Sequence, residues 1–147
     1  MAANPSPHPI EIVKRFQAAL NSHDLDAFVA CFSADYDSQQ PAFPDRAFRG
    51  SEQVQKNWGQ VFADIPDFHA ELLRVAESGD TVWSEWHWHG TPAAGGAFNW
   101  RGVIILGVKA GRIAWGRLYI GPVQEAGGGI DAAVQSMAHG SAQADQR

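Results

Sequence analysis

The sequence predicts an α+β domain in which a curved antiparallel sheet wraps around helices that precede it. Apolar residues recur at helical spacing as far as Ile65, and from Phe68 onward four runs rich in aromatic and β-branched residues replace that pattern. Helices first and strands afterwards make a layered α+β arrangement with the sheet curled over the helices. With 147 residues, 45% of them hydrophobic and six of them tryptophan, the chain suits one domain with a core of its own, and no repeat divides it.

Met1 to Pro7 is rich in Pro, Ser and Ala, which predicts a flexible arm over residues 1–9 ahead of a domain over 10–123. Pro9 suits a first helical turn, and Ile10, Val13, Phe16, Gln17 and Leu20 follow at helical spacing. Asn21-Ser22-His23 interrupts this helix. Asp24 caps a second, short one whose buried face is Leu25, Phe28, Val29 and Phe32. Cys31 within it reads as a small buried hydrophobe.

Pro41 and Pro44 forbid a helix interior between Asp35 and Arg49, and a short strand fits Tyr36 to Gln40. Ser51 is the expected cap of a third helix carrying Val54, Trp58, Val61 and Phe62, which Ile65-Pro66-Asp67 ends. Strands are expected over Phe68–Ala76, Thr81–His89, Phe98–Val108 and Arg112–Ile120, with tight turns at Glu77-Ser78-Gly79-Asp80 and Lys109-Ala110-Gly111. Gly127-Gly128-Gly129 marks a break. A last short helix from Asp131 through Met137 and a loose tail, SAQADQR, make up a C-terminal piece over 124–147.

Several partner classes are disfavoured. A net charge of -5 with only eleven Lys and Arg offers no basic stripe for phosphates, so nucleic acid is not an expected partner. No apolar run approaches the roughly 20 residues that span a bilayer, and MAANPSPHPI lacks the pattern of a secretory signal, so no membrane role and a cytoplasmic location are expected. One cysteine excludes an internal disulfide framework.

The stretch SEWHWHGT, Ser84 to Thr91, alternates tryptophan and histidine. Side chains on a strand point alternately to opposite faces, so Val82, Ser84, Trp86 and Trp88 share one face and Trp83, Glu85, His87 and His89 the other. Trp100, Gly102, Ile104 and Leu106, and then Ala114, Gly116, Leu118 and Ile120, are the apolar sets expected to face the helices. Asn99, Arg101, Val103 and Ile105, with Ile113, Trp115, Arg117 and Tyr119, form a mixed outer surface. His87 and His89 fall there.

His-x-His on a strand puts both rings on one side, and Glu85 is a possible third metal ligand. Without a spaced third His or Cys, and with Arg101 and Arg117 nearby, the expectation is no metal; a hydrogen-bonded or interface network is favoured over proton transfer. On the inner face, Trp86, Trp88 and Trp100 with Phe16 and Trp58 either wall a pocket, with Gly102 and Gly116 leaving space, or interlock as plain core.

The segments VKRFQAALNSHDLDAFVACFSAD, FRGSEQVQKNW, GDTVWSEWHWHGT and FNWRGVIILGVKAGRIAWGRLYIGPV, in that order, resemble the nuclear transport factor 2-like superfamily over Ile10 to Val123. Its members include ketosteroid isomerases, limonene-epoxide hydrolase and SnoaL-like polyketide cyclases. The resemblance implies a cone-shaped α+β barrel with an apolar pocket inside and a homodimer through the outer sheet face. It does not choose a reaction. Where the isomerases place a tyrosine, an aspartate base before proline and a protonated aspartic acid, this chain has Phe16, Gln40 and an apolar residue near Val103. Where the hydrolase places an arginine and two aspartates, it has Trp86, Trp88 and Leu118, and Gly121 stands where many members have an acid.

Ligand binding is therefore expected at Phe16, Gln40, Trp58, Ser84, Trp86, Trp88, Trp100 and Leu118, with Ser38 sharing the parity of Gln40. His69 and Glu71 are the remaining acid–base candidates. A four-residue turn at 77–80 sets them opposite Trp88 and Trp86, inside the pocket, and a three-residue turn reverses both. Asp37 reads as a solvated charge at a loop edge, and His8 and His23 as surface residues. The expected function is binding of a small apolar molecule without a cofactor, with cyclase, isomerase or hydrolase chemistry on one side and a non-catalytic binder or dimerisation module on the other.

Overall fold

In the computed structural model, which describes residues 7–144, the first helix α1 spans Pro9–Ser22 with Pro9 in its first turn. It buries Ile12, Val13, Phe16, Ala19 and Leu20, the stripe that 3.6-residue periodicity lays along one side. It ends at His23, which adopts the left-handed conformation (φ 55°) more usual for glycine. The ring compensates for this. His23 is half-buried, stacks on Phe62 at 4.8 Å, and its Nε2 lies 2.8 Å from the Phe68 carbonyl oxygen. A carbonyl only accepts, so Nε2 carries the proton. The expectation of a surface histidine is thus corrected, because the ring ties helix end to sheet. His8 is exposed, 3.6 Å from Glu77.

Asp24 caps α2 (Leu25–Ala30), its carboxylate accepting from the Ala27 N–H at 3.0 Å. Phe32 opens strand β1 (Phe32–Gln39) instead of closing the helix face. A single 3₁₀ turn at Pro44–Arg46 and strand β2 (Phe48–Arg49) lead into α3 (Ser51–Asp64). Ser51 is not its cap. Gly50 holds that position at φ 100° and donates its N–H to the Tyr36 carbonyl at 2.8 Å, so the turn out of β2 needs a glycine backbone.

Strands β3 (His69–Ser78), β4 (Thr81–Gly90), β5 (Phe98–Lys109) and β6 (Arg112–Pro122) form the expected antiparallel meander. Sheet order is β2-β1-β6-β5-β4-β3, and β1 joins β6 in parallel, so the curved sheet is mixed. The connecting turns are shorter than expected: Ser78 pairs with Thr81 and Lys109 with Arg112, leaving two-residue loops. Positive φ at Gly79, Ala110 and Gly111 matches the twist of such hairpins. Helix α4 runs Gly129–Ala144, longer than expected at both ends, and takes in residues 141–144 of the tail; the remainder of the tail, and the arm up to residue 6, lie outside the described residues.

Two bulges set the phase of the sheet. In β3 the register steps from Arg74 opposite Glu85 to Leu72 opposite Trp86, leaving Leu73 as an extra residue. In β6 it steps from Trp115 opposite Gly107 to Ile113 opposite Val108, leaving Ala114 extra. Ile113 is therefore fully buried, and Ala114 joins Trp115 on the convex side, exchanging the faces expected of them. The parity of β4 holds throughout: Val82, Ser84, Trp86 and Trp88 are buried, while Trp83 is 52% exposed.

The concave face closes on α1, α2 and α3 through aromatic contacts, with Phe16 5.5 Å from Trp86, Phe28 5.1 Å from Phe32 and Trp58 5.4 Å from Trp88. Burying each such side chain is worth about 1.5–3 kcal/mol, which makes this layer the main source of stability. Asn21 fastens α1 to the edge strand. Its Oδ1 accepts from the Ala70 N–H at 2.7 Å and its Nδ2 donates to the Ala70 carbonyl at 2.9 Å. Asn21→Ala leaves the N–H of the buried Ala70 without its acceptor and its carbonyl with the Gln17 Nε2 donor alone, at 3.2 Å, so urea unfolding of this variant should show a loss of about 1–3 kcal/mol.

Candidate functional site

A cavity of about 370 Å³ lies between the concave sheet face and the helices. Rings form most of its wall. Trp88 meets Trp58 edge-on at 5.4 Å and stacks over Trp100 at 6.5 Å, while Phe98 stacks on Trp100 at 5.3 Å and Phe68 stands 5.8 Å from Trp88. Polar atoms enter from Tyr36, Ser38, Gln40 and Asn57. Among the described residues that line it there is no carboxylate, imidazole, lysine or arginine.

Six of the eight residues expected at a ligand site line this cavity: Phe16, Gln40, Trp58, Trp88, Trp100 and Leu118. Ser84 and Trp86 do not. The Ser84 hydroxyl donates to the Ile104 carbonyl at 2.7 Å and accepts from the Trp86 indole N–H at 2.8 Å, so the pair satisfies itself within solid core. Gly102 and Gly116 also fail to open space, because a Cβ on Gly102 would strike the Tyr119 backbone and one on Gly116 the Tyr36 hydroxyl. Val103 belongs to the convex face, opposite Tyr119. The indole N–H of Trp88 is buried without a hydrogen-bond partner among the described residues, a cost that an acceptor brought by water or ligand would relieve.

Tyr36 was absent from the expected site, although it shares strand parity with Ser38 and Gln40. Only 4% exposed, it is the one ionisable group among the described residues that line the cavity. Burial pushes its phenol up to about 12, against the opposing pull of its hydrogen bond with Ser38 and the nearby Arg117 charge. At neutral pH it is a neutral hydrogen-bond donor.

The acid–base candidates lie elsewhere. The bulge at Leu73 puts Glu71 opposite His87 and His69 opposite His89, on the convex face with both imidazoles, so neither reaches the cavity. Two-residue and four-residue turns give β3 the same parity, and the bulge alone reverses it between Leu73 and His69. Asp37 is likewise not a loop charge: it sits within β1, half-buried, 3.4 Å from Arg117 Nη2. Burial pushes the Cys31 thiol up, in keeping with an unreactive core residue.

A larger groove of about 870 Å³ on the convex face holds Arg49, Arg112, Arg117, Asp37, Trp83 and Trp115. It is open and charged, whereas the inner cavity is walled on most sides and apolar, the usual character of a small-molecule site.

A six-stranded curved sheet around helices is the cone of the nuclear transport factor 2-like superfamily. Residues 13–115 match the SnoaL-like domain, and the chain belongs to that family. No curated protein matches. Among solved structures, a hypothetical protein with a ketosteroid isomerase-like fold from Catenulispora acidiphila, in complex with trimethylamine, is 22% identical, with 77% of this chain and 85% of that one covered at a TM-score of 0.64. Rv0760c of Mycobacterium tuberculosis, in complex with estradiol-17β-hemisuccinate, is 19% identical over 77% and 94% of the two chains at 0.67. A limonene-epoxide-hydrolase-like epoxide hydrolase of Mycobacterium tuberculosis is 20% identical over 75% and 80% at 0.66. At these identities the likeness establishes the fold.

The Tyr36 phenol gives a pH test. Its folded value exceeds the unfolded one, near 10, so its contribution to stability is complete below about pH 10 and is lost as pH rises through 12. Urea unfolding should weaken by about 3 kcal/mol across that interval, and Tyr36→Phe should remove this part of the pH dependence.

Proposed function

We propose that this chain binds a small, flat, uncharged and largely apolar molecule in the inner cavity. The observation that carries this reading is the wall itself: stacked and edge-on aromatic rings around about 370 Å³, with no charged side chain among the lining residues described. A charged ligand would lose its hydration there without gaining a counter-ion. A planar one gains burial plus about 0.5–1.5 kcal/mol for each well-placed ring contact. Tyr36, Ser38, Gln40 and Asn57 supply donors and acceptors that would orient one carbonyl or hydroxyl. The complexes of the Catenulispora protein with trimethylamine and of Rv0760c with estradiol-17β-hemisuccinate support small organic molecules as occupants of this fold. Titrating steroid ketones and anthraquinones against tryptophan fluorescence should give saturable quenching, with binding about tenfold weaker in Trp100→Ala; a flat response to every member of the panel would overturn the reading.

One observation favours a catalytic reading as cyclase, isomerase or hydrolase. A buried phenol kept protonated can hydrogen-bond an oxygen that gains negative charge during reaction. In that reading Tyr36 is the electrophile, and His69 and Glu71 have no role. Turnover of a bound ketone that survives Tyr36→Phe unchanged would remove it.

We further propose that the convex face pairs two copies. Trp83 and Tyr119 stand 52% and 49% exposed there, beside half-buried Val103 and Ile105. Covering such apolar surface is what drives association. Sedimentation velocity should find a dimer, and Trp83→Glu should convert it to monomer.

A further inference from the structure

Across β3 and β4 the register sets His69 opposite His89 and Glu71 opposite His87, all on the convex face. Three imidazoles and a carboxylate thus occupy the corners of one cross-strand quadrilateral. The His69 and His89 rings are 5.2 Å apart and the His87 and His89 rings 5.1 Å. The bulge at Leu73 creates this set, since without it β3 would turn His69 and Glu71 to the other face.

The hydrogen bonds around His87 identify which of its atoms is free. Asn99 Nδ2 donates to Glu125 Oε1 at 3.2 Å, which turns Asn99 Oδ1 toward His87 Nε2 at 2.6 Å. The amide oxygen accepts, so Nε2 carries a proton, and the remaining nitrogen, Nδ1, faces Glu71 Oε2 at 3.6 Å. A neutral imidazole then presents a lone pair to a carboxylate. A metal ion held between that nitrogen and the carboxylate oxygen would be ligated by both. Metal-bound histidines characteristically donate their other N–H to a fixed acceptor, as Nε2 does here to Asn99. Two ligands of a tetrahedral zinc ion stand about 3.3 Å apart, given bond lengths of about 2.0–2.1 Å, close to the Glu71–His87 separation.

We propose that His69, Glu71, His87 and His89 form a surface site for a divalent transition metal of the zinc class. The N3O donor set suits Zn²⁺, Co²⁺ or Ni²⁺ over Mg²⁺ or Ca²⁺. Asp67 beside His89 and Glu125 behind Asn99 add negative charge, against Arg101 on β5 opposite His87. No three donors among the described residues converge on one point in the present arrangement. His69, Glu71 and His89 are exposed, however, so their side chains are free to rotate toward a shared ion. The site is on the opposite face of the sheet from the cavity and independent of what the cavity binds.

Calorimetric titration of the tag-free protein with ZnCl₂ at pH 7.5, and visible absorption with CoCl₂, test this. One equivalent per chain is expected, with d–d bands of tetrahedral or five-coordinate cobalt. His89→Ala and Glu71→Gln should each weaken binding at least tenfold, Asn99→Ala by about tenfold through loss of the outer hydrogen bond, and His139→Ala not at all. Circular dichroism of each variant checks that it is folded. Absence of binding by the wild-type protein would overturn the proposal, as would binding that Asn99→Ala and Glu71→Gln leave unchanged, the mark of casual capture by two surface histidines.

Discussion

The structure depends on the phase of the strand pleat, and in β3 that phase turns on Leu73. Every side chain of a strand is committed to one of two faces, and one additional residue exchanges the commitment for all that lies beyond it. On the near side of the bulge, Val75 packs inward opposite Ser84; on the far side, Ala70 and Leu72 do so opposite Trp88 and Trp86. Burial explains why the exchange is favoured. Ala70 is fully buried beneath α1, a place that His69 or Glu71 could take only by desolvating an ionisable group.

The same constraint divides the molecule chemically. Charge and imidazole collect on the convex face, while the interior keeps hydroxyls, amides and indoles, of which Ser84 and Trp86 are tied to each other and the Trp88 N–H is left without a partner among the described residues. Tyr36 sits at the boundary of the two regimes: its ring packs against Phe32 and Phe48, and its hydroxyl fills the space that Gly116 leaves by having no side chain. A polar interior of this kind favours recognition by shape and by one or two hydrogen bonds over recognition by charge.

Much of this was legible from residue pattern. The order of elements, the Asp24 cap, the meander and the two faces of β4 follow from periodicity and turn chemistry, because those signals are local. What escaped was non-local. Each bulge falls at a break in alternation, the doublet Leu72-Leu73 and the run Ile113-Ala114-Trp115, but consecutive apolar residues also suit a strand buried on both faces, so the inward placement of Ile113 and the outward placement of His69 and Glu71 required the actual register. Ser84 and Trp86 were correctly assigned to the inner face and incorrectly to the cavity, since a core that saturates its own hydrogen bonds looks the same in sequence as a wall with free ones. Tyr36 could have been found by extending the parity of Ser38 and Gln40 two residues back.

The paired amide contacts of Asn21 with Ala70 have a meaning beyond holding a helix in place. β3 is an outer rim of the sheet, and such a rim invites a foreign strand to add on. A side-chain amide occupying both hydrogen-bonding groups of one residue imitates the missing neighbour over that short length. With Glu71 and Arg74 flanking it, the rim is closed to runaway polymerisation at the point where it is most deeply packed.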